Sequence, residues 1–262
     1  MGWEEAGRGW GARALEWAYM TEPYARSANN VVFDRLALGT GTRYLDVACG
    51  SGFAANIASQ RGAVVAGLDA SDALIRIARA RTPEGDFRVG DMFDLPFAEH
   101  TFDVVTSFNG IWKGCERALS EAHRVLVGSG RLGLTFWGNL NRVGLMPYFM
   151  KVIELSPPSH QSASMEQGDT GRAGVVEEML AATGFALLDR GTVEVVNEWP
   201  DVEAAVRGLS AAGPSVPAIE SVGYDTFCRV LTEALAPLHD PDLGVRIVSE
   251  FGWVAAEPSN RD

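Results

Sequence analysis

Short apolar runs alternate with helical patterns through the first half of the chain. The runs that read as buried strands occur at residues 44–48, 64–69, 86–91, 102–108 and 131–137. Between them, apolar residues recur at helical spacing at 54–61, 72–81 and 116–126. Strands that alternate with helices in this way predict an α/β fold, with a parallel sheet covered on both faces.

The pattern changes on both sides of this region. Before it, apolar residues at helical spacing over 10–38 predict helices that Pro23 interrupts. After it, 138–171 combines a helical stretch at about 144–155 with a polar loop, as in a lid or substrate wall. The remaining chain predicts strands at 185–196 and 245–255, together with helices at 175–183, 201–212 and 224–238.

Composition and charge narrow the classes of function. The formal net charge is -12, and the only lysines are Lys113 and Lys151, so we expect no nucleic-acid partner and no anionic membrane surface as partner. No apolar run approaches the ~18 residues that span a bilayer. The N-terminal residues lack the apolar core of a signal peptide, and the three cysteines form no paired motif. These features predict a soluble, cytoplasmic protein with reduced thiols.

The most informative local feature is the turn Gly50-Ser51-Gly52, which follows the first strand and precedes a helical pattern. Glycine lets a backbone turn sharply and lets a ligand approach it closely. A strand that delivers such a turn to a helix N-terminus forms a nucleotide pocket. Because Gly50-x-Gly52-x-x-Ala55 also fits the dinucleotide fingerprint, the turn alone leaves the nucleotide undecided.

Three acids, Asp46, Asp69 and Asp91, come at the ends of the first three strands and would face one crevice of a parallel sheet. Each alone could be a helix cap or turn residue. Asp69 suits a ribose diol, and Asp91 suits an adenine amine, with Met92 or Ala70 packing on the purine. Asp46 would repel a pyrophosphate but favour an ammonium or sulfonium group, which argues for S-adenosylmethionine over NAD.

Several motifs together resemble the ordered motifs of class I S-adenosylmethionine-dependent methyltransferases of the small-molecule type. The resemblance covers about residues 40–137 closely. It rests on Leu45-Asp46-Val47-Ala48-Cys49-Gly50-Ser51-Gly52, Gly67-Leu68-Asp69-Ala70-Ser71, Gly90-Asp91-Met92, Phe102-Asp103-Val104-Val105, and Arg124-Val125-Leu126 followed by Gly130-Arg131-Leu132. Trp17, Glu22 and Pro23, and the segment around 208–214, also resemble this type.

The resemblance implies a Rossmann-like mixed sheet of seven strands, in the order 3-2-1-4-5-7-6 with a reversed last strand. It also implies that S-adenosylmethionine is the methyl donor and S-adenosylhomocysteine the product. The residues implied at the cofactor are Asp46, Ala48, Gly50, Gly52, Asp69, Ala70, Asp91, Met92, Phe108 and Asn109. Ala48 stands where the family often has glycine, and Gly128-Ser129-Gly130 replaces its usual Pro-Gly-Gly turn.

We predict one methyltransferase domain over residues 1–262. Its parts are an N-terminal helical lid at about 1–40, a cofactor-binding core at 41–137, a lid insertion at 138–171 and a C-terminal part at 172–262, with a helical insertion at 200–238.

The acceptor pocket is expected to be aromatic. The candidates are Trp17, Tyr19, Tyr24, Phe108, Trp112, Trp137 and Tyr148, although core or lid packing is the more common role for any one of them. Such a pocket suits a small planar or apolar molecule, methylated on oxygen, nitrogen or carbon, with specialised metabolism as the expected setting. A base is needed only if the acceptor must lose a proton. The candidates are His160 in the insertion and His239 before Pro241, with His160 preferred, although a lone histidine in a loop is more often incidental than catalytic.

Other functions stay open at this point. One is an NAD-dependent oxidoreductase, in which Asp91 would have no role. Another is a protein of this fold that binds S-adenosylmethionine without transferring methyl, such as a cyclase or a binding module. No divalent-metal constellation is apparent in the sequence. The sequence leaves the oligomeric state open, a homodimer included.

Overall fold

The computed structural model describes residues 2–160 and 169–259, and a single mixed β-sheet organises them. Its strands are β1 Arg43–Val47, β2 Val64–Asp69, β3 Asp86–Val89, β4 Phe102–Phe108, β5 Leu126–Trp137, β6 Phe185–Trp199, β7 His239–Asp240 and β8 Gly244–Pro258. The sheet order is β3-β2-β1-β4-β5-β8-β6, and β7 pairs with the start of β8.

The helices surround this sheet. They are α1 Trp3–Gly11, α2 Ala14–Glu16, α3 Arg26–Arg35, α4 Phe53–Gln60, α5 Asp72–Arg81, α6 Glu116–Val125, α7 Met146–Leu155, α8 Val175–Ala182, α9 Val202–Leu209, α10 Ser215–Val222 and α11 Tyr224–Leu235. A π-helical segment at Trp17–Thr21 and a 3₁₀ segment at Glu22–Ala25 connect α2 to α3. In the described part of the chain, no helix has the length and apolar character needed to cross a membrane.

The strand directions confirm the predicted topology. Strands β1 to β5 are parallel, whereas β8 is antiparallel to both β5 and β6. The short strand β7 was not predicted and comes just before the reversed strand. The reversed strand, which was predicted as the seventh, is therefore numbered β8. With β7 set aside, the order matches the predicted 3-2-1-4-5-7-6 arrangement.

Separate apolar cores lie on the sheet and above it. One contains α6 and α8 together with β4 and β5, and a second contains α3, α4 and α5. A third core joins α7, α9, α10 and α11 to the ends of β6 and β8. This third core makes the helical insertion predicted at 200–238 a cap at one end of the sheet.

The β6–β8 hairpin extends past the carboxyl end of β5. Strand β5 ends at Trp137, opposite Phe251, whereas β6 stays paired with β8 as far as Val245. Residues 245–250 of β8 therefore stand above the edge where the ends of the parallel strands meet. This projecting part of the hairpin carries the cap.

Two local predictions differ from the structure. The turn predicted at Gly128–Gly130 lies inside β5, where the pairing with β4 shifts register between Phe102 and Val104. Helix α10 was not predicted, because Pro214 and Pro217 interrupt the sequence there. Both prolines fit the start of the helix: Pro214 is its N-cap and Pro217 lies in the first turn, where an N–H has no intrahelical partner.

Helix α1 packs closely on the loop that joins β2 to α5. A Cβ added at Gly7 would collide with the carbonyl oxygen of Ala70, and one added at Gly11 would lie 2.6 Å from Ser71 Oγ. Gly7 and Gly11 are four residues apart and so share one face of the helix. Because Gly7 and Gly11 have no side chains, the backbone of α1 can contact the loop directly.

The pair Gly7→Ala and Gly9→Ala tests this packing on one helix. Gly7→Ala must push α1 away from Ala70, so we expect faster proteolysis within residues 3–25 and a lower melting temperature. At Gly9 the nearest atom to an added Cβ is 3.9 Å away, so Gly9→Ala should leave the docking intact. Its higher helix propensity should stabilise the protein by up to about 1 kcal/mol. Equal proteolysis of the two variants would contradict the packing described.

Candidate functional site

The turn after β1 has a backbone conformation that favours glycine. Gly50 and Gly52 have φ values of +56° and +72°, and Gly52 precedes the first residue of α4. A Cβ added at Gly52 would lie 2.7 Å from the Cβ of Ala78 on α5, which is too close. Ala48 also has a left-handed φ, +58°, a backbone conformation that favours glycine.

Asp69, the last residue of β2, fastens this turn. Its carboxylate accepts hydrogen bonds from the backbone N–H of Gly50 at 2.9 Å and of Ser71 at 2.8 Å. Burial raises the pKa of Asp69, while the backbone N–H donors oppose that rise. The carboxylate predicted to bind ribose therefore lies between the turn and the start of α5.

Asp46 lies beneath the turn and is only 2% exposed. The hydroxyl of Thr106 donates to it at 3.0 Å, and the same hydroxyl lies 2.6 Å from Tyr44 Oη. Burial raises the pKa of Asp46 to about 8, and the nearby carboxylates of Glu22 and Asp69 contribute to the rise. An acid in this setting is held ready to ionise when a positive charge comes close.

The other predicted cofactor residues lie at the ends of neighbouring strands. Asp91 lies two residues past β3, where it accepts a hydrogen bond from Phe93 N at 2.9 Å, and Met92 packs on the α6 side of the sheet. Phe108 ends β4, and Asn109 follows it with φ +56° and donates its backbone N–H to Thr135 O at 3.1 Å. The sheet thus brings these residues to the edge that carries Asp46 and Asp69.

A buried ion pair closes the turn from the other side. Glu22 accepts from Ser51 N at 3.0 Å and from the hydroxyl of Ser51, and Arg81 donates to Glu22 at 2.9 Å. The two side chains are 12% and 15% exposed. Arg81 also donates to the carbonyl of Ala18 at 2.6 Å, so α5 is tied to the N-terminal segment. Burial raises the pKa of Glu22.

No sequence pattern marks Arg81 as a site residue, because a cation in the last turn of a helix is ordinarily a favourable surface charge. Glu22 was named from the sequence only as one of the N-terminal residues that resemble the family. The partners of this ion pair are separated by 59 positions, so no local pattern links them.

An aromatic row joins the N-terminal segment to the cap. The ring centroids of Tyr24 and Phe251 lie 6.0 Å apart, those of Phe251 and Trp137 lie 4.7 Å apart, and those of Trp137 and Phe149 lie 5.0 Å apart. Tyr148 follows at 5.0 Å from Phe149. Burial raises the pKa of Tyr24, and the neighbouring Tyr148 and Glu22 add to the effect, which places the row beside the ion pair.

The structure brings together some of the predicted acceptor residues and separates others. Tyr24, Trp137 and Tyr148 belong to the aromatic row. Trp17 lies against Gly50, where its indole nitrogen is 3.6 Å from an added Cβ, and its ring packs against Trp10.

The remaining candidates lie elsewhere. Tyr19 is 65% exposed, with its ring beside the guanidinium of Arg81. Phe108 packs against Phe33 on the α3 side of the sheet, and Trp112 packs against the core that contains α6. His160 is the last residue before the undescribed segment 161–168, and its Nδ1 lies 3.2 Å from Ser159 Oγ.

A cavity of about 430 Å³ lies between α1 and the loop after β2, next to the acid at the end of that strand. Its lining includes Trp3, Gly7, Ala70, Ser71 and Val89. Asp69 and the Gly50–Gly52 turn are not among its lining residues, so the cavity lies beside the strand-tip site. The carboxylate at the strand tip can accept hydrogen bonds from a sugar diol, and the glycine turn leaves room for close approach to the backbone.

Comparisons with known proteins agree with this geometry. A family model described as "Methyltransferase domain" matches residues 45–134. A demethylmenaquinone methyltransferase of Renibacterium salmoninarum is 36% identical over 109 residues, which are 41% of this chain and 46% of that protein. The chain therefore matches less than half the length of this curated relative.

Solved structures share the fold over most of the chain. A putative methyltransferase from Bacillus halodurans superposes with a TM-score of 0.60 at 18% identity, covering 89% of this chain and all of that one. The [4+2]-cyclase SpnF superposes with a TM-score of 0.56 at 21% identity, covering 88% of this chain and 80% of that one. The family model thus shows a methyltransferase domain within residues 45–134, and the solved structures show that the fold of these proteins extends over most of the chain.

Proposed function

We propose that this protein binds S-adenosylmethionine at the carboxyl edge of β1 to β4 and transfers its methyl group to a small aromatic or apolar acceptor. The observation that carries the proposal is the position of two buried carboxylates, Asp46 and Asp69, on either side of the Gly50–Gly52 turn. A pyrophosphate would oppose the ionisation of both acids, whereas a cationic ligand would favour it and pair with the resulting carboxylates.

The strand-end residues divide the recognition of the donor between them. Asp69 would accept hydrogen bonds from the ribose hydroxyls, in place of or beside its present backbone donors. Asp91 and Met92 would hold the adenine, and Gly50 lets the ligand approach the backbone. Phe108 and Asn109 would close the site beside the methyl group.

The donor arrives already activated, since its sulfonium supplies the leaving group for an in-line displacement. The protein's task is to align the acceptor and exclude water. Trp137 and Tyr24 of the aromatic row supply apolar surface for a flat acceptor. The relative named as a demethylmenaquinone methyltransferase supports a small ring acceptor, and His160 remains the candidate base.

Two alternatives differ in chemistry. Binding of S-adenosylmethionine without methyl transfer is supported by the likeness of the fold to a [4+2]-cyclase. Incubation with methyl-labelled donor and a panel of phenols, quinols and amines separates the two, because a non-transferase would leave the donor intact. An NAD-dependent oxidoreductase is disfavoured by the buried acid Asp46 under the turn.

Substitution of Asp69 tests the cofactor site. Asp69→Asn keeps the side-chain volume but replaces one acceptor oxygen with a donor, so it can no longer accept on both sides. We expect affinity for S-adenosylhomocysteine, measured by calorimetry, to fall at least about tenfold, since a hydrogen bond to a charged group contributes about 1.5–3 kcal/mol.

The control for this substitution is Asp34→Asn. Asp34 lies on α3, away from the turn, and is an exposed acid paired with Arg61. It should bind like the wild type. Unchanged affinity of Asp69→Asn, with a melting curve like that of the wild type, would refute the ribose assignment. Tight binding of NAD in place of S-adenosylhomocysteine would refute the proposed function.

The raised pKa of Asp46 predicts a pH-dependent stability difference. Between the unfolded pKa of 3.8 and the folded value of about 8, the folded protein keeps a proton on Asp46 that the unfolded chain has lost. Stability is therefore lost as pH rises through this window, by at most about 1.4 kcal/mol per unit.

Asp46→Asn removes that titration. In denaturant unfolding without ligand, the variant should gain stability relative to the wild type from pH 5 to pH 8, and the gain should level off above pH 8. A constant difference between the two proteins, or one that shrinks with pH, would contradict the burial of an acid at this position. Asp103→Asn, at an exposed acid paired with Arg43, serves as the control whose folded pKa is lowered.

A further inference from the structure

The buried face of the β6–β8 hairpin carries polar side chains in an apolar setting. Along β6 the inward positions are Val193, Val195, Asn197 and Trp199. Asn197 is 1% exposed, and Ser249 on β8 is 0% exposed. Within the described part of the chain, neither amide atom of Asn197 nor the hydroxyl of Ser249 has a hydrogen-bond partner.

Unpartnered groups of this kind are rare in folded proteins. A buried polar group gives up its hydrogen bonds to water, and native structures nearly always restore them with protein, ordered water or ligand. Asn197 is an unusual case because it lacks both a donor partner and an acceptor partner. A single hydroxyl group could satisfy both, because it donates and accepts at one atom.

The register of the hairpin brings the two side chains together. Val195 lies opposite Ser249, and Asn197 lies opposite Ile247. Because alternate residues share a face, Asn197 and Ser249 are diagonal neighbours on the same side. They lie in the part of the hairpin that stands above the carboxyl edge of the sheet.

The surroundings of this pair connect it to the aromatic row. Phe251 is two residues from Ser249 on the same face, and its ring packs against Trp137 and Tyr24. The segment that contains Tyr24 crosses this face, since Trp199 Nε1 donates to Met20 O at 2.8 Å and Ala28 packs against Val195. Thr21 on the same segment is also buried, with a hydroxyl that lacks a partner among the described residues.

The charges of the hairpin lie on its other face. Glu198 and Arg246, the sequence neighbours of Asn197 and Ile247, are exposed and form an ion pair with a 3.1 Å separation. The inward face therefore presents neutral polar groups beside aromatic rings. That combination matches an uncharged planar ligand with an oxygen substituent.

We infer that Asn197 and Ser249 bind a hydroxyl group of a neutral aromatic acceptor, whose ring packs beside Phe251 and Trp137. This inference rests on the proposed function, because it names the chemistry of the acceptor for that same site. The amide fixes the orientation of the ring, and Ser249 adds a second hydrogen bond. Asn197 and Ser249 are thus positioning residues for the acceptor.

A pair of matched probes tests this inference. 1-Naphthol and naphthalene have the same ring system and differ by one hydroxyl. Their binding to the protein saturated with S-adenosylhomocysteine is measured by equilibrium dialysis and quantified by their own fluorescence. We expect wild-type protein to bind 1-naphthol at least about tenfold more tightly than naphthalene. The ratio should fall to about twofold in Asn197→Leu and in Ser249→Ala, with naphthalene affinity maintained.

Two controls separate a binding role from a structural one. Glu198→Gln, next to Asn197 but on the outer face, should keep the wild-type ratio. Ser249→Ala removes only one oxygen atom, so it remains informative if the melting curve shows that Asn197→Leu does not fold. A ratio below about twofold in the wild type would overturn the inference. A wild-type ratio that persists in the folded variants would also overturn it and would indicate that ordered water satisfies the pair.

The same samples distinguish failure of this inference from failure of the proposed function. Affinity for S-adenosylhomocysteine is measured separately by calorimetry on the wild type and each variant, and we expect it to be unchanged in the variants. If the wild type does not bind that ligand, the proposed function fails. The probe ratio measured on unloaded protein then still tests the Asn197–Ser249 pair.

Discussion

The hydrogen bond from the backbone N–H of Gly50 to the carboxylate of Asp69 joins the tips of two neighbouring strands, and the N–H of Ser71 donates to the same carboxylate. The turn after β1 is also fixed by its internal Gly52-to-Cys49 bond and by the Cys49-to-Leu68 bond. Glu22 holds the same turn from the opposite side, through Ser51. The backbone on which a ligand would rest is therefore held between acids from two distant parts of the chain.

This arrangement concentrates negative charge in a small buried volume. Arg81 offsets Glu22 directly, at 2.9 Å, whereas Asp46 is stabilised mainly by the hydroxyl of Thr106. Desolvation of several carboxylates is costly, so the resting site is stable only if part of the charge is neutralised by protons. A cation that enters the site can replace those protons, so the buried carboxylates favour a positively charged ligand.

Much of the fold could be predicted from the sequence, because the strands are continuous apolar runs that end at acids or glycines. The order of the strands came from a family resemblance, and the structure confirmed it. The site was harder to predict. Asp46 and Asp69 follow local patterns, whereas the link from Arg81 to Glu22 spans 59 positions and depends on tertiary packing.

The residues that would contact the acceptor were also hard to predict from the sequence. An aromatic residue such as Trp112 could pack into a core or line a pocket, and only the sheet decides which face it joins. Asn197 could not be identified in the same way, because the strand predicted at 185–196 ends before it, whereas β6 continues to Trp199. Its inward position follows only from the register with β8.

The close fit of the N-terminal segment over the turn has a kinetic consequence. Trp17 and Glu22 occupy the space above Gly50, and α1 lies on Ala70. A ligand can therefore reach that backbone only when the segment lifts away, which requires Arg81 to release Glu22. The rate at which a ligand enters the site would then be limited by the opening rate of this segment.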